Sequence, residues 1–364
     1  MMCGWQWQVA FWVVLLAEVP LEAKDPILLR KLNPIDAHVH FFVSSPALGE
    51  TLERLNFRFV NITVLDPYSG GYETMAPQHQ ICAELVRATG GRAAWVSSFD
   101  PRGLEDPEFA SRTIALLEET FRQGAVGVKI YKAIGMELRK KSGEYVLPDD
   151  PALAPILDAI AARGKTLCAH LAEPAAAWKS LNPTDPDYYY KNNPQWHTAG
   201  HPDRPSKTSI LEARDRLLAR HPKLRVIGCH LGSMEEDVEE MAKRLARYPN
   251  FAVDTGGRVA HLALQDRNKV RQVLLKYQDR ILYATDDLIL PGGDVGASLL
   301  RWSTDLERDW KYFATAETLE ISGRKVQGLA LPKTVLQKIY RGNVLKWVPG
   351  IFFPATSNAG KSGE

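Results

Sequence analysis

Eight short apolar runs, each followed by a stretch of helical periodicity, limit what this chain can fold into. The runs lie in "PIDAHVHFF", "FRFVNITVLD", "RAAWVSSFD", "AVGVKIYKA", "KTLCAHLAE", "LRVIGCHLGS", "NFAVDTGG" and "RILYATDD". Each has the length and β-branched character of a buried strand. Apolar residues recur at helical spacing over 78–89, 108–124, 151–164, 209–222, 233–249 and 266–278, and again over 333–348. Strands that alternate with helices pair in parallel through crossover connections. Eight such units predict an α/β fold, a closed (β/α)8 TIM barrel, which takes about 250 residues. The remaining length goes into two long loops, 174–208 after the fifth strand and 288–332 after the eighth. The second is expected to hold a helix over 303–320. An open doubly wound sheet is the rival, but no G-x-G-x-x-G or P-loop follows any strand.

The barrel is expected to occupy residues 25–352, with 353–364 as a flexible tail. Residues 1–24 stand apart. Val9 to Ala17 is continuously apolar, of secretory h-region length and too short to span a bilayer. Cleavage after Ala23 would fit, although no Lys or Arg precedes the apolar run. If the segment is a signal peptide, the protein is secreted or periplasmic; otherwise it is cytoplasmic. The alternatives are a start codon placed too early and a segment that packs on the domain.

A formal charge of +2 and no basic run interleaved with aromatics argue against a nucleic-acid partner. No membrane role is expected beyond export. The four cysteines, Cys3, Cys82, Cys168 and Cys229, show no C-x-x-C pair. Cys168 and Cys229 sit in apolar runs and read as buried thiols.

Active groups of a barrel lie at the C-terminal ends of its strands. In "IDAHVH" the i, i+2 rule puts Asp36, His38 and His40 on one face of the first strand and Ile35, Ala37 and Val39 on the other. The other strand ends contribute Asp66, Asp100, Lys129, His170 with Glu173, His230, Asp254, and Asp286 with Asp287. Gathering that many titratable groups at one rim is expensive unless they pair or bind metal. His38, His40, His170 and Asp286 make a ligand set suited to one divalent ion, zinc first, with Fe, Mn or Co as alternatives. Such an ion brings the pKa of a bound water to about 7 and yields a hydroxide nucleophile. His230 is placed to act on that water or on the substrate oxygen as acid and base. Asp287 reads as a helix cap, and Asp66 and Asp100, each before a proline, as turn residues.

This order of residues, with the segments "IDAHVHFF", "CAHLAEP", "IGCHLGSMEED", "NFAVDTGGR", "RILYATDD" and "KIYRGNVLKW", resembles the amidohydrolase superfamily, and most closely its amidohydrolase-related branch. The resemblance spans residues 34–348. It implies the TIM barrel, metal ligation by His38, His40, His170 and Asp286, and His230 as the active histidine of strand six. It also raises two roles for Lys129. Some superfamily members carry a carboxylated lysine at the end of strand four that bridges two metals. In much of this branch a lysine there faces the substrate or a carboxylate instead, beside a single metal. Lys132 lies out of register with the inner face and is the weaker candidate for either role.

The expected function is metal-dependent hydrolysis of a small molecule, a metal-bound hydroxide attacking an amide, ester or lactone carbon. The branch also contains non-oxidative decarboxylases of the aminocarboxymuconate-semialdehyde and resorcylate type, so a lyase on the same scaffold is the first alternative. A non-catalytic secreted binding protein is the second. Glu173, Asp254, Arg258, Trp196 and His197 are the candidates for substrate contact. The aromatic 174–208 loop is expected to cap the barrel mouth. Its His197 and His201 have helical i, i+4 spacing, but Gly200 and Pro202 oppose a helix there. A homodimer, the commonest assembly, is the default expectation.

Overall fold

The computed structural model describes residues 26–65, 71–183 and 188–351. The apolar N-terminal segment, Asp66 and the 353–364 tail lie outside the described residues. Eight parallel strands follow one another around the sheet: β1 (Ile35–Phe41), β2 (Arg58–Ile62), β3 (Ala93–Ser98), β4 (Gly127–Ile130), β5 (Thr166–Ala169), β6 (Arg225–Gly228), β7 (Phe251–Asp254) and β8 (Ile281–Leu282). A ninth short piece, β9 (Leu288–Ile289), pairs with the free edge of β1. The backbone between β8 and β9 is also laced to β1. Ala37 N–H donates to the Tyr283 carbonyl at 2.9 Å, Asp286 N–H to His38 at 2.8 Å, and His40 N–H to Asp287 at 2.8 Å. β8 and β9 are therefore two halves of one interrupted eighth strand, and the curled sheet closes through it.

A helix follows each strand: α1 (Pro46–Leu55), α2 (Met75–Ala88), α3 (Phe109–Arg122), α4 (Ala154–Ala162), α5 (Lys207–Arg220), α6 (Val238–Arg247), α7 (Arg267–Lys276) and α8 (Val295–Ala314). α1 lies outside the seven stretches of helical periodicity, and its signals are local. Pro46 opens it, the Ser45 hydroxyl accepts the Leu48 N–H at 3.3 Å, and Asn56 ends it in a left-handed conformation. Residues 151–164 divide into a 3-10 turn, Pro151–Leu153, and α4. The helix expected over 303–320 ends earlier. α8 stops at Ala314, and Thr318–Ile321 is a strand, β10, paired antiparallel with β11 (Arg324–Gln327). Ser322 and Gly323 between them have φ of 50° and 70°, the two positive values of a tight hairpin turn. Among the described residues no helix is long and apolar enough to cross a membrane.

Two apolar layers hold the fold. Inside the barrel, Ile35, Ala37, Val60, Ile62, Val96, Cys168, Ile227 and Ala252 pack together, with Val344 and Trp347 of the C-terminal helical run closing the floor. Outside, residues such as Val39, Phe41, Phe59, Val128, Leu167, Val226 and Val253 pack against the helices. β1 corrects the expected alternation. Ile35 and Ala37 face inward, Val39 and Phe41 outward, because pairing with β2 shifts register between Asp36 and Val39. The irregularity puts Asp36 on the opposite face from His38 and His40. Its carboxylate instead accepts from Trp302 Nε1 of α8 at 2.9 Å and from the Thr285 hydroxyl at 2.6 Å. A bulge of this kind re-aims side chains next to active sites.

One buried histidine of the helix layer gives the fold a pH signature. His79 of α2 accepts the Ser98 N–H at Nε2, 3.3 Å away, so the neutral ring is the one that fits. Burial pushes its pKa down to about 4. The unfolded chain binds this proton below about 6.5 and the native state does not. The stabilisation is therefore complete above pH 6.5 and is lost as pH falls toward 4, by about 3 kcal/mol. Urea unfolding of the wild type and of His79→Gln across that window should differ by this slope.

Candidate metal centre

β1 delivers His38 and His40 to the C-terminal rim, and the turn after β8 delivers Asp286. Three of their atoms converge: His38 Nε2 and His40 Nε2 are 3.1 Å apart, and Asp286 Oδ1 is 3.3 Å from the first and 3.2 Å from the second. A point equidistant from all three lies roughly 1.9 Å from each, close to the 2.0–2.2 Å of zinc bonds to His and carboxylate. The tautomers agree. His38 Nδ1 is 3.0 Å from Asp254 Oδ2, and His40 Nδ1 is 2.6 Å from the Ile62 carbonyl. Carboxylate and carbonyl oxygens only accept, so each Nδ1 carries the proton and each Nε2 presents a lone pair. Two lone pairs and a carboxylate oxygen face one another, an arrangement that a cation stabilises and that is repulsive otherwise. The donor set fits a divalent ion.

His230 stands beside this group. Its Nδ1 donates to the Gly256 carbonyl at 2.7 Å and lies 3.8 Å from Asp286 Oδ2, leaving Nε2 as the basic atom. His38, His230 and Asp286 each offer a ligand atom within 4.8 Å of the others. The local backbone explains how the ring reaches the site. His230, Leu231, Gly232 and Ser233 all have positive φ, 58°, 56°, 64° and 59°. Three of these are not glycine, a strained left-handed turn of the kind stored at functional sites. Gly228 makes it fit, since a Cβ there would lie 2.8 Å from Gly232 Cα and 2.7 Å from the Phe251 ring.

Asp254, at the end of β7, was expected to touch substrate. The structure turns it to the back of the site. One oxygen holds His38 Nδ1, and the other accepts the backbone N–H of His230 at 2.8 Å and of Gly256 at 3.0 Å. Burial alone would raise its pKa, but His38, His230 and Lys129 hold it below the usual carboxylate range. Such a partner fixes the tautomer and direction of a ligand histidine. Asp254→Ala should weaken divalent-cation affinity by about 10–100-fold, measured by competition with a chromogenic chelator. Lys129 reaches the metal-facing side of His38: its Nζ is 3.3 Å from His38 Nε2 and donates to Cys229 Sγ at 3.0 Å. Both thiols expected to be buried, Cys168 and Cys229, are buried.

Charge and burial set the protonation states. Burial, then Lys129, pushes the His38 pKa down. Burial pushes His230 to about 3. Burial opposes ionisation of Asp286, but the neighbouring His230 and His38 and the His40 hydrogen bond outweigh it and hold the carboxyl well below its ordinary value. At neutral pH His38 and His230 are therefore neutral and Asp286 is ionised.

His170 joins the group through His230, with ring centroids 4.2 Å apart. Burial first, then His230 and Lys132, hold its pKa far down. Its Nε2 is buried and makes no hydrogen bond among the described residues. An orphaned imidazole nitrogen of this kind needs a reason, and an unfilled coordination position supplies one.

The remaining candidates are placed as follows. Glu173 is ion-paired with Lys132 and accepts the Tyr190 hydroxyl at 2.6 Å. Trp196 lies over Lys132 Nζ at 3.5 Å from its ring centre, and Tyr131 bridges Trp196 to His170 edge-on. These contacts fasten the strand-five excursion to the rim. His197 bonds the Lys179 carbonyl at 2.8 Å and stacks on Tyr190, both within that excursion. Arg258 follows β7, 4.0 Å from Glu235. Asp100 is a turn residue, as expected, accepting the Arg102 N–H at 2.8 Å. Asp287 is not a helix cap: it accepts from Arg301 Nε at 3.1 Å, and Asp294 caps α8. Neither the Lys132–Glu173 pair nor the Asp36–Trp302 contact is marked in the sequence. The partners lie 41 and 266 residues apart, so no local spacing marks them.

The sequence model of the family described as amidohydrolase matches residues 35–349. No curated protein matches the chain. Among solved structures it is similar to an uncharacterised TIM-barrel protein from Bordetella bronchiseptica, with 14% identity and a TM-score of 0.51 over 87% of this chain and 99% of that one. It is also similar to a 2,6-dihydroxybenzoate decarboxylase from Rhizobium, with 14% identity and a TM-score of 0.50 over 86% of this chain and 98% of that one. At these identities the likeness concerns the fold.

Proposed function

The chain belongs to the amidohydrolase family, and from that premise we propose that it is a hydrolase acting on an amide, ester or lactone carbon of a small molecule. The observation that carries this reading is the convergence of His38 Nε2, His40 Nε2 and Asp286 Oδ1, with the His230 ring beside them, its centroid 5.1 Å from that of His38. Zinc is the ion we assign, with His38, His40, His170 and Asp286 as its holders and Lys129 beside His38 Nε2. When bound, such an ion polarises a substrate carbonyl and lowers the pKa of water.

The chain's own groups then do the following. Asp254 and the Ile62 carbonyl keep the two β1 histidines in the tautomer that points Nε2 inward. Asp286, ionised, uses Oδ1 toward those histidines and Oδ2 toward His230. His230 Nε2 accepts the proton that the attacking water releases. Because burial disfavours its charged form, the ring passes that proton on to the leaving group rather than retaining it.

The test is a product assay on zinc-loaded protein with N-acyl amino acids, esters, lactones and hydroxybenzoic acids. Hydrolysis products without carbon dioxide are expected. Carbon dioxide from a hydroxybenzoic acid, with no hydrolysis, would replace this reading with the decarboxylase one.

A further inference from the structure

Asp36 is a buried carboxylate with no part in the proton path. It sits where two irregularities face each other, the register shift in β1 and the break in strand eight that holds Asp286. Backbone bonds across this gap use the amides of Ala37, His40 and Asp286. Between them, the amides of His38 and Thr285 donate to one oxygen of Asp36, at 3.2 and 3.1 Å. The other oxygen accepts from the Thr285 hydroxyl at 2.6 Å and from Trp302 Nε1 at 2.9 Å. All four partners donate, and a carboxylate, whose two oxygens only accept, suits them all.

These bonds bracket Asp286. Thr285 precedes it and is held at both its N–H and its hydroxyl. The same hydroxyl accepts the Asp287 N–H at 3.2 Å, so the residue after Asp286 is held as well. Asp286 itself has a left-handed φ of 66°, a conformation that persists where the surroundings fix it. A shift of this turn would move Oδ1, whose approaches of 3.3 and 3.2 Å to His38 Nε2 and His40 Nε2 define the metal centre. One carboxylate thus ties the ligand turn after β8 to the ligand strand β1.

Trp302 brings α8 into the same contact. Its indole is buried, edge-on to Phe41 and Phe57 with ring centres 5.4 and 5.8 Å away, so packing holds its N–H on Asp36. α8, the loop after β7 and the β10–β11 hairpin also enclose a cavity of about 380 Å³, which Thr285 helps to line. The second excursion therefore meets Thr285 twice, across that cavity and through Trp302 and Asp36.

We propose that Asp36 is a positioning residue for the metal centre: through Thr285 and the His38 amide it sets the approach of Asp286 Oδ1 to the two β1 histidines, and Trp302 braces it from the second excursion. The proposal rests on the metal centre of the hydrolase reading but not on the reaction, so its test reads metal affinity and coordination rather than turnover.

Asp36→Asn keeps the shape but must turn an NH2 group toward donors. Zinc affinity, measured on the full-length chain by competition with a chromogenic chelator, should fall by about 10–100-fold. The visible absorption of the cobalt-loaded variant should differ from that of the wild type, because it follows coordination geometry. Urea unfolding of the metal-free chain reads stability separately. Thr285→Val, which removes the hydroxyl, should weaken zinc by about 10-fold, while Thr285→Ser should keep wild-type affinity and spectrum. This pair decides the matter if Asp36→Asn does not fold. Wild-type zinc affinity and cobalt spectrum in Asp36→Asn or in Thr285→Val, whatever the loss of stability, would make Asp36 structural only and overturn the proposal. A wild type that binds neither zinc nor cobalt removes the metal centre and both readings. A wild type that binds zinc but releases carbon dioxide removes the hydrolase reading and leaves this one standing.

Discussion

Asp286→Asn is expected to empty the protein of its divalent ion and to abolish turnover in the same step. The substitution keeps the shape but removes the negative charge that faces His38 Nε2 and His40 Nε2 at 3.3 and 3.2 Å. An amide can also turn its NH2 group toward those two nitrogens, which satisfies their lone pairs without a metal. Affinity should fall by more than the roughly 100-fold that marks the upper end for an outer partner such as Asp254. Elemental analysis after gel filtration, with circular dichroism to confirm the fold, checks this. His38→Ala should behave alike. A variant that keeps a full equivalent of zinc would remove Asp286 from the ligand set.

His230→Ala is the contrasting case: zinc stays and turnover falls. Its Nδ1 is committed to the Gly256 carbonyl, and its contact with Asp286 is the longer one, 3.8 Å, so the three converging atoms survive its loss. Removing a positioned acid–base group costs about 10²–10⁴-fold in rate. The measurement is kcat together with zinc content, and the two must separate. Wild-type turnover in the variant would exclude the proton-carrying role. Loss of zinc would make His230 a ligand instead, which its 4.2 Å approach to His170 makes worth measuring.

These two predictions concern residues that the sequence marked by position alone. A histidine or aspartate at the end of an apolar run is legible because strand and helix periodicities differ and the barrel rim is where the runs stop. His38, His40, His230 and Asp286 are all legible in this way, and the structure brings them together. His170 is legible in the same way and reaches the group through His230. The less legible residues have side-chain directions or partners set by distant parts of the chain. Asp254 looked like a substrate contact because its strand ends at the rim. Its two oxygens instead serve His38 and His230, 216 and 24 residues away. Lys132 looked out of register, and its partner Glu173 lies on the next strand's loop.

The sequence by itself determined the barrel, its strand order and the rim that carries the chemistry. Those follow from local periodicity, and local periodicity survives whatever the rest of the chain does. Only the tertiary structure decided three things. It turned Asp36 away from His38 and His40, because one register shift in β1 reverses a face that simple alternation would preserve. It ended the second excursion's helix at Ala314 and built a hairpin from the rest. It set that hairpin and α8 around a charged cavity beside Asp286. Each depends on which segments lie against which, a property of the packed chain that no window of residues contains.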